Sequence, residues 1–378
     1  MQSAPSTQTS LAATLVAHTR TGSLYQLEGE KIRCVACGHR CLIGAGKQGI
    51  CRVRFNDGGQ LKVPCGYVGA LACDPVEKKP FNHVLPGSDA LTFGMLGCDF
   101  HCGYCQNWVT SQALRDDAAL APIREVTATQ LVRAAKQSGA RLVVSSYNEP
   151  LITAEWAAAV FEAAAPEGLL CAFVSNGNAT PEALDFLKPW LRADKIDLKS
   201  FNDRRYRTLG GTLASVCNGI RMVHERGIWL EIVTLLISGF NDDEAELRDM
   251  AQFLVSISPN IPWHVTAFHP DYKMTDVPRT VARQLVRAAE IGAEAGLRYV
   301  YAGNAPGQVG EWEHTRCPSC QATLVERLGY AVQRYRITPD GKCPDCHAPI
   351  PGIWHSGGAK DVPAGTFASR VPHRIVLT

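Results

Sequence analysis

The chain has 378 residues, 46% of them hydrophobic, and a formal net charge of +2. That length can bury one substantial core with small satellite modules, and so small a charge gives no reason to expect nucleic acid or a membrane surface as the main partner. No stretch approaches the roughly 20 apolar residues of a membrane span, and the polar first ten residues, followed by an apolar run broken at His18 and Arg20, do not read as a secretory leader. Eleven of the fifteen cysteines fall in three tight groups, a pattern that implies metal in a reducing cytoplasm rather than a secreted disulfide scaffold.

In chain order, residues 1–30 are polar and weakly patterned and are expected to form a flexible arm. Residues 31–85 form a Cys-rich module carrying Cys34-x2-Cys37-x3-Cys41-x9-Cys51, with His39 inside the set. Thiolates at these spacings could hold zinc, the first expectation, or a second iron-sulfur cluster. From residue 86 to residue 305 short β-rich runs alternate with longer helical patterns, which predicts βα units around a parallel sheet. Strands are expected at 91–96, 142–145, 171–175, 195–198, 229–236, 264–268 and 299–301. Thr127 with Gln130 has capping-box spacing, and Thr180-Pro181 pairs an N-cap with proline at the first helical position. Leu213, Val216, Cys217, Ile220 and Val223 share one helical face, so Cys217 reads as core, as does Cys171 inside its strand.

The predicted fold class is α/β, a partial (β/α) TIM-like barrel with chemistry at the C-terminal ends of its strands. Beyond it, residues 306–354 carry two C-P-x-C knuckles, Cys317/Cys320 and Cys343/Cys346, whose spacing suits a tetrahedral S4 site, zinc being the expected structural staple. Residues 355–378 read as an irregular tail.

The third cysteine group follows the first barrel strand. Cys98, Cys102 and Cys105 are separated by three and then two residues, with Tyr104 before the last. An iron-sulfur cube has four irons and takes four thiolates, so a local triplet leaves one iron open to a small molecule. A zinc knuckle is the competing reading, but structural zinc prefers paired C-x2-C units and a fourth ligand, which only His101 could supply nearby.

Spacing and aromatic together resemble the signature of radical S-adenosylmethionine (SAM) enzymes. The resemblance implies a [4Fe–4S] cluster on these three cysteines, with SAM at the open iron and cofactor contacts at successive strand ends. After the second strand, Tyr147-Asn148-Glu149 stands where a Gly-Gly-Glu motif is usual: the acid is kept and the glycines are lost. Glu149 would accept from the SAM ammonium, with Asn148 beside it. Ser175-Asn176 would contact the ribose. Asp197 and Lys199 flank Leu198 and so point to one side, into the barrel, where Lys199 could pair with a ligand carboxylate. His264 and His269 bracket the sixth strand and read as core or loop residues before ligands.

The narrower family that these motifs resemble is the radical SAM enzyme of the AmmeMemoRadiSam system, related to pyruvate formate-lyase activating enzymes. The resemblance rests on Glu77-Lys78-Lys79-Pro80, Gly97-Cys98 through Gln106-Asn107-Trp108, Tyr147-Asn148-Glu149-Pro150, Ile196-Asp197-Leu198-Lys199, Trp263-His264-Val265 with Phe268-His269-Pro270, and Tyr299-Val300-Tyr301-Ala302-Gly303-Asn304. It covers roughly residues 31 to 354. It implies a cytoplasmic enzyme that takes electrons from flavodoxin or ferredoxin and acts with Memo-type and AMMECR-type proteins. Val174-Ser175 replace the Asp-Thr of glycyl-radical activases, which puts their monovalent-cation site in doubt. Two other readings compete: a glycyl-radical activase, and an iron-sulfur or zinc electron carrier or scaffold, which would not account for Glu149, Asn176 and Lys199 behind successive strands.

Overall fold

The computed structural model describes residues 11–116, 119, 122–362 and 375. Its centre is an eight-stranded sheet of β1 (Ala70–Pro75), β2 (Asp89–Gly94), β3 (Leu142–Ser145), β4 (Leu170–Ser175), β5 (Leu191–Asp197), β6 (Trp229–Leu236), β7 (Trp263–Ala267) and β8 (Val300–Gly303), neighbours in chain order. Strands β2 to β8 are parallel, and β1 is an antiparallel edge on β2. The seven expected strands are present. β1 lies inside the stretch read as a Cys-rich module; its sequence, Ala-Leu-Ala-Cys-Asp-Pro, has no β-branched residue to announce it.

Helices α1 (Ala128–Gln137), α2 (Ala154–Ala164), α3 (Pro181–Leu187), α4 (Leu213–Glu225), α5 (Glu244–Ile257) and α6 (Ala282–Glu294) fall between the strands. The Thr127/Gln130 capping box forms, and the Thr180 hydroxyl accepts from the Ala183 amide. Strand alternation then sorts side chains into two sets. Cys171, Phe173, Ile232 and Trp263 join the helices in the main core, as does Cys217 from α4. Val174, Lys195, Asp197, Val233, Leu235, His264, Thr266 and Tyr301 face a cavity of about 620 Å³ inside the curved sheet.

The N-terminal end of this barrel is plugged. Val76, Phe81, Val84 and Leu85 pack against Ala90, Leu142, Val144, Ala172 and Ala193 near the strand starts. Glu231, fully buried on β6, ties this floor in place by accepting from the Asn82 and His83 amides (2.9 Å each), Trp229 Nε1 (3.1 Å) and His264 Nε2 (2.7 Å).

One stretch differs from its sequence reading. Residues 11–30, expected to be part of a loose arm, hold a helix, Leu11–Ala17, and strands Thr19–Thr21 and Tyr25–Glu28. Such short strands carry no readable periodicity; pairing of Thr19–Thr21 with Gln60–Pro64, some 40 positions away, fixes the first of them. Within the expected tail, Gly358–Asp361 forms a single 3-10 turn. The rest of the tail, Ile375 excepted, lies outside the described residues, as do residues 1–10.

Asp194, on the helix-facing side of β5, is 3% exposed and leaves Oδ1 without a hydrogen-bond partner. Burial pushes its carboxyl up from 3.8 to about 7, Lys195 opposing and Asp197 adding to the rise. The folded chain therefore keeps a proton that the unfolded chain releases. Its stabilising contribution is complete below about pH 4 and is lost as pH rises through 7, by as much as about 4 kcal/mol. Asp194→Asn should accordingly unfold at higher urea than the wild type at about pH 8 and match it at about pH 4. Equal midpoints at both pH values would exclude this origin.

Candidate active site

The cavity opens at the C-terminal ends of the strands, where barrel enzymes concentrate their chemistry. Cys102, Tyr104 and Cys105 line it together with Asp197 and Lys199. The Phe100 amide donates to Cys98 Sγ at 3.4 Å, the Ser111 hydroxyl lies 3.2 Å from Cys105 Sγ, and the Tyr104 ring stacks edge-on against Phe240. Burial pushes the Cys102 thiol up to about 12, with Lys199 pulling the other way. Binding a metal centre there must displace the proton.

Asp197 sits between two lysines. Lys199 Nζ donates to Oδ2 at 3.0 Å and Lys195 Nζ to Oδ1. Burial opposes its charge, but Lys195 and Lys199 override that and hold the carboxyl down at about 2.

Asn148, Glu149, Ser175 and Asn176 do not line the cavity; they form a buried network behind the triplet loop. Glu149 accepts from Ser175 Oγ (2.8 Å), the Asn176 amide (2.7 Å) and the Leu151 amide (3.1 Å). Burial, reinforced by nearby Asp99, raises its carboxyl well above the usual range. Asn148 Oδ1 accepts from the Met95 amide at 3.0 Å. Asn176 and Asn178 each donate through Nδ2 to Asp99, at 2.7 and 2.8 Å, clamping the residue next to Cys98.

Two carboxylates of this interior, Asp74 and Glu231, carried no sequence signal that singled them out. Lys78 and Lys79 both donate to Asp74, at 2.9 and 2.6 Å, and Tyr147 Oη donates to the same carboxylate at 3.3 Å. Tyr147 has φ +67°, a left-handed backbone that costs a non-glycine residue on the order of 1–3 kcal/mol. The lost glycine of the usual motif thus keeps its backbone and gains a ring on the cavity wall. That substitution was itself the available clue. His264 is held by Glu231, whose charge persists despite burial because His264 and neighbouring donors stabilise it. His269 meets Gln106 Nε2 at 3.0 Å at the rim.

The C-terminal module closes one side of the lumen. Its strands Thr315–Arg316, Thr323–Leu328 and Ala331–Tyr335 form an antiparallel sheet whose core includes Tyr299 and Tyr301. Arg327 reaches the floor, donating to Asn82 O at 2.8 Å and to Thr315 Oγ1 at 2.9 Å, and Tyr330 lines the cavity. Cys317, Cys320, Cys343 and Cys346 gather with all sulfurs within 4.8 Å of one another. That fits a single ion, because tetrahedral thiolates about 2.3 Å from zinc stand about 3.8 Å apart. Among the described residues Cys98, Cys102 and Cys105 are not gathered so tightly, as suits a cube that takes each thiolate on a separate iron.

The sequence model of the Radical SAM superfamily matches residues 93–254, which span the triplet and the ends of β2 to β6. The chain is 35% identical over 324 residues to the uncharacterized protein MJ0808 of Methanocaldococcus jannaschii, covering 85% of this chain and 95% of that one. It is 27% identical over 270 residues to the GTP 3',8-cyclase of Peptoclostridium acidaminophilum, covering 66% and 77%. Among solved structures, a radical SAM methyltransferase from Sphaerobacter thermophilus aligns over 76% of this chain and 78% of its own, at 16% identity and a TM-score of 0.46. A domain of a pyruvate-formate lyase-activating enzyme from Bacteroides vulgatus aligns over 43% and 98%, at 23% identity and a TM-score of 0.39. With its cysteine triplet at the mouth of a parallel βα sheet and the superfamily match across both, residues 93–254 form a domain of the Radical SAM superfamily.

Proposed function

We propose that the protein is a radical SAM enzyme whose Cys98, Cys102 and Cys105 hold a [4Fe–4S] cluster, acting on a small substrate within an AmmeMemoRadiSam-type system. The observation that carries this reading is the opening of Cys102 and Cys105 into the same lumen as the Lys195–Asp197–Lys199 group. When bound, the cluster supplies the electron that splits the sulfonium of SAM, giving methionine and a 5'-deoxyadenosyl radical that removes a hydrogen atom from the substrate.

The protein's own side chains bind and orient. Lys199 offers a cation to the SAM carboxylate, and Asp197, ionised at any physiological pH, offers an anion to its ammonium. The Glu149–Asn176–Asp99 network keeps the triplet loop in one place without touching the cavity. Glu231 accepts from His264 Nε2, which leaves Nδ1 as the ring nitrogen available to a substrate. A closed floor and a side wall built from Arg327 and Tyr330 exclude water. A volume of about 620 Å³ falls within the range of small-molecule sites, and this enclosure favours a small substrate over deep insertion of a glycyl loop.

Zinc at the C-terminal quartet, flavodoxin or ferredoxin as the electron source, Memo-type and AMMECR-type partners and a cytoplasmic location complete the proposal. Among the described residues no helix is long and apolar enough to cross a membrane. The test is anaerobic reconstitution with iron and sulfide, followed by SAM and dithionite. 5'-Deoxyadenosine should form in amounts that depend on the cluster; its absence from a protein holding about four irons more than a Cys98→Ala, Cys102→Ala, Cys105→Ala variant would sink the proposal.

A further inference from the structure

We infer that Cys34, Cys37, Cys41 and Cys51 hold a second, fully ligated [4Fe–4S] cluster rather than zinc. All four are free thiols; Cys34, Cys37 and Cys51 are buried and Cys41 is half-buried. The loop folds around them: the Cys34 amide donates to Cys41 O at 2.9 Å and the Arg40 amide to Cys37 O at 3.0 Å. An amide also aims at one of the sulfurs. Ile50 N lies 3.5 Å from Cys41 Sγ. Donors directed at thiolate sulfur are what an anionic metal-thiolate centre requires.

Arg54 supplies an independent sign of the ligand. Its side chain is 1% exposed, and its two terminal nitrogens are spent on Glu155 and Ile152 O. Nε has no partner, although Cys34 and Cys51 lie within electrostatic reach of the guanidinium. A buried donor is rarely left unmade, and a cluster bearing net negative charge between these cysteines would give it an acceptor.

Size separates iron-sulfur from zinc. The C-terminal quartet is drawn within 4.8 Å, the spacing of ligands around one ion, whereas among the described residues the N-terminal quartet is not, and neither is the Cys98, Cys102, Cys105 triplet. Two cysteine sets with the wider spacing lie side by side. A Cβ on Gly97 would stand 3.1 Å from Cys51 O, and His39 Nε2 lies 3.8 Å from Asp99, the neighbour of Cys98. Four thiolates leave no iron open, so this cluster would carry charge without binding SAM.

The experiment compares the reconstituted wild type with a Cys98→Ala, Cys102→Ala, Cys105→Ala variant and with a Cys37→Ser, Cys51→Ser variant, measuring iron, acid-labile sulfide and zinc. The triple variant should keep about four irons and four sulfides per chain, and its dithionite-reduced EPR signal should not respond to SAM. The double variant should fall from about eight irons to about four and keep a signal that SAM perturbs. A triple variant free of iron and carrying about two zinc ions per chain overturns the proposal, as does a double variant that retains about eight irons. The inference does not rest on the radical SAM reading: wild type with about eight irons but no 5'-deoxyadenosine would refute that reading and leave this one standing.

Discussion

Replacing Cys102 by Ala should reduce 5'-deoxyadenosine formation below detection while zinc stays at about one per chain, the amount held by the C-terminal quartet. Only three thiolates serve this cluster, so each is the sole protein ligand of one iron. Cys102 also lines the lumen that the chemistry must use, where the Lys199 charge favours its thiolate. A contact to SAM behaves differently. Lys199→Ala leaves all three sulfurs in place but removes the cation offered to the SAM carboxylate, and should cost roughly 10–100-fold, the size of one hydrogen bond between charged groups. Metal analysis together with chromatographic quantitation of the nucleoside distinguishes the two variants. If Cys102→Ala instead lost about one zinc per chain, the triplet would be a zinc site.

Glu231→Leu should be the most destabilising single change in the barrel interior, by about 3–5 kcal/mol. The carboxylate is fully buried and receives four donors, two from the floor segment, one from Trp229 and one from His264. Leucine has similar bulk but leaves all four unpaired where water cannot replace the acceptor. Floor and wall should loosen together, because His83 also bonds Tyr301 Oη and Pro351 O, linking the floor to the C-terminal module. Urea unfolding followed by tryptophan fluorescence measures the loss, with Trp229 and Trp354 both near His83 as reporters. A loss below about 1 kcal/mol would mean that the floor is held by the apolar contacts of Phe81 and Val84 alone.

The parallel strands were legible because their apolar runs and the caps between them obey local rules. Thr127 and Thr180 cap where their spacing said they would, and Asp197 and Lys199 face one side because a strand alternates with period two. Glu149 and Asn176 were legible as strand-end polar residues, but their partners were not. Which of several polar groups a buried carboxylate meets depends on strands 26 or more positions apart in the chain, and no local pattern encodes that register. The short strands of residues 11–30 escaped notice for the same reason.

The sequence by itself determined the three cysteine groups and the βα alternation, since ligand spacing and hydrophobic period are properties of neighbouring residues. Only the tertiary structure decided how the groups differ. It draws Cys317, Cys320, Cys343 and Cys346 to single-ion distance, sets Cys51 against Gly97 of the triplet loop, and brings Lys79, Lys195, His264 and Tyr147 around one lumen. The distance between two sulfurs, and the partner of a buried charge, follow from how separate segments pack, and packing is a property of the whole chain.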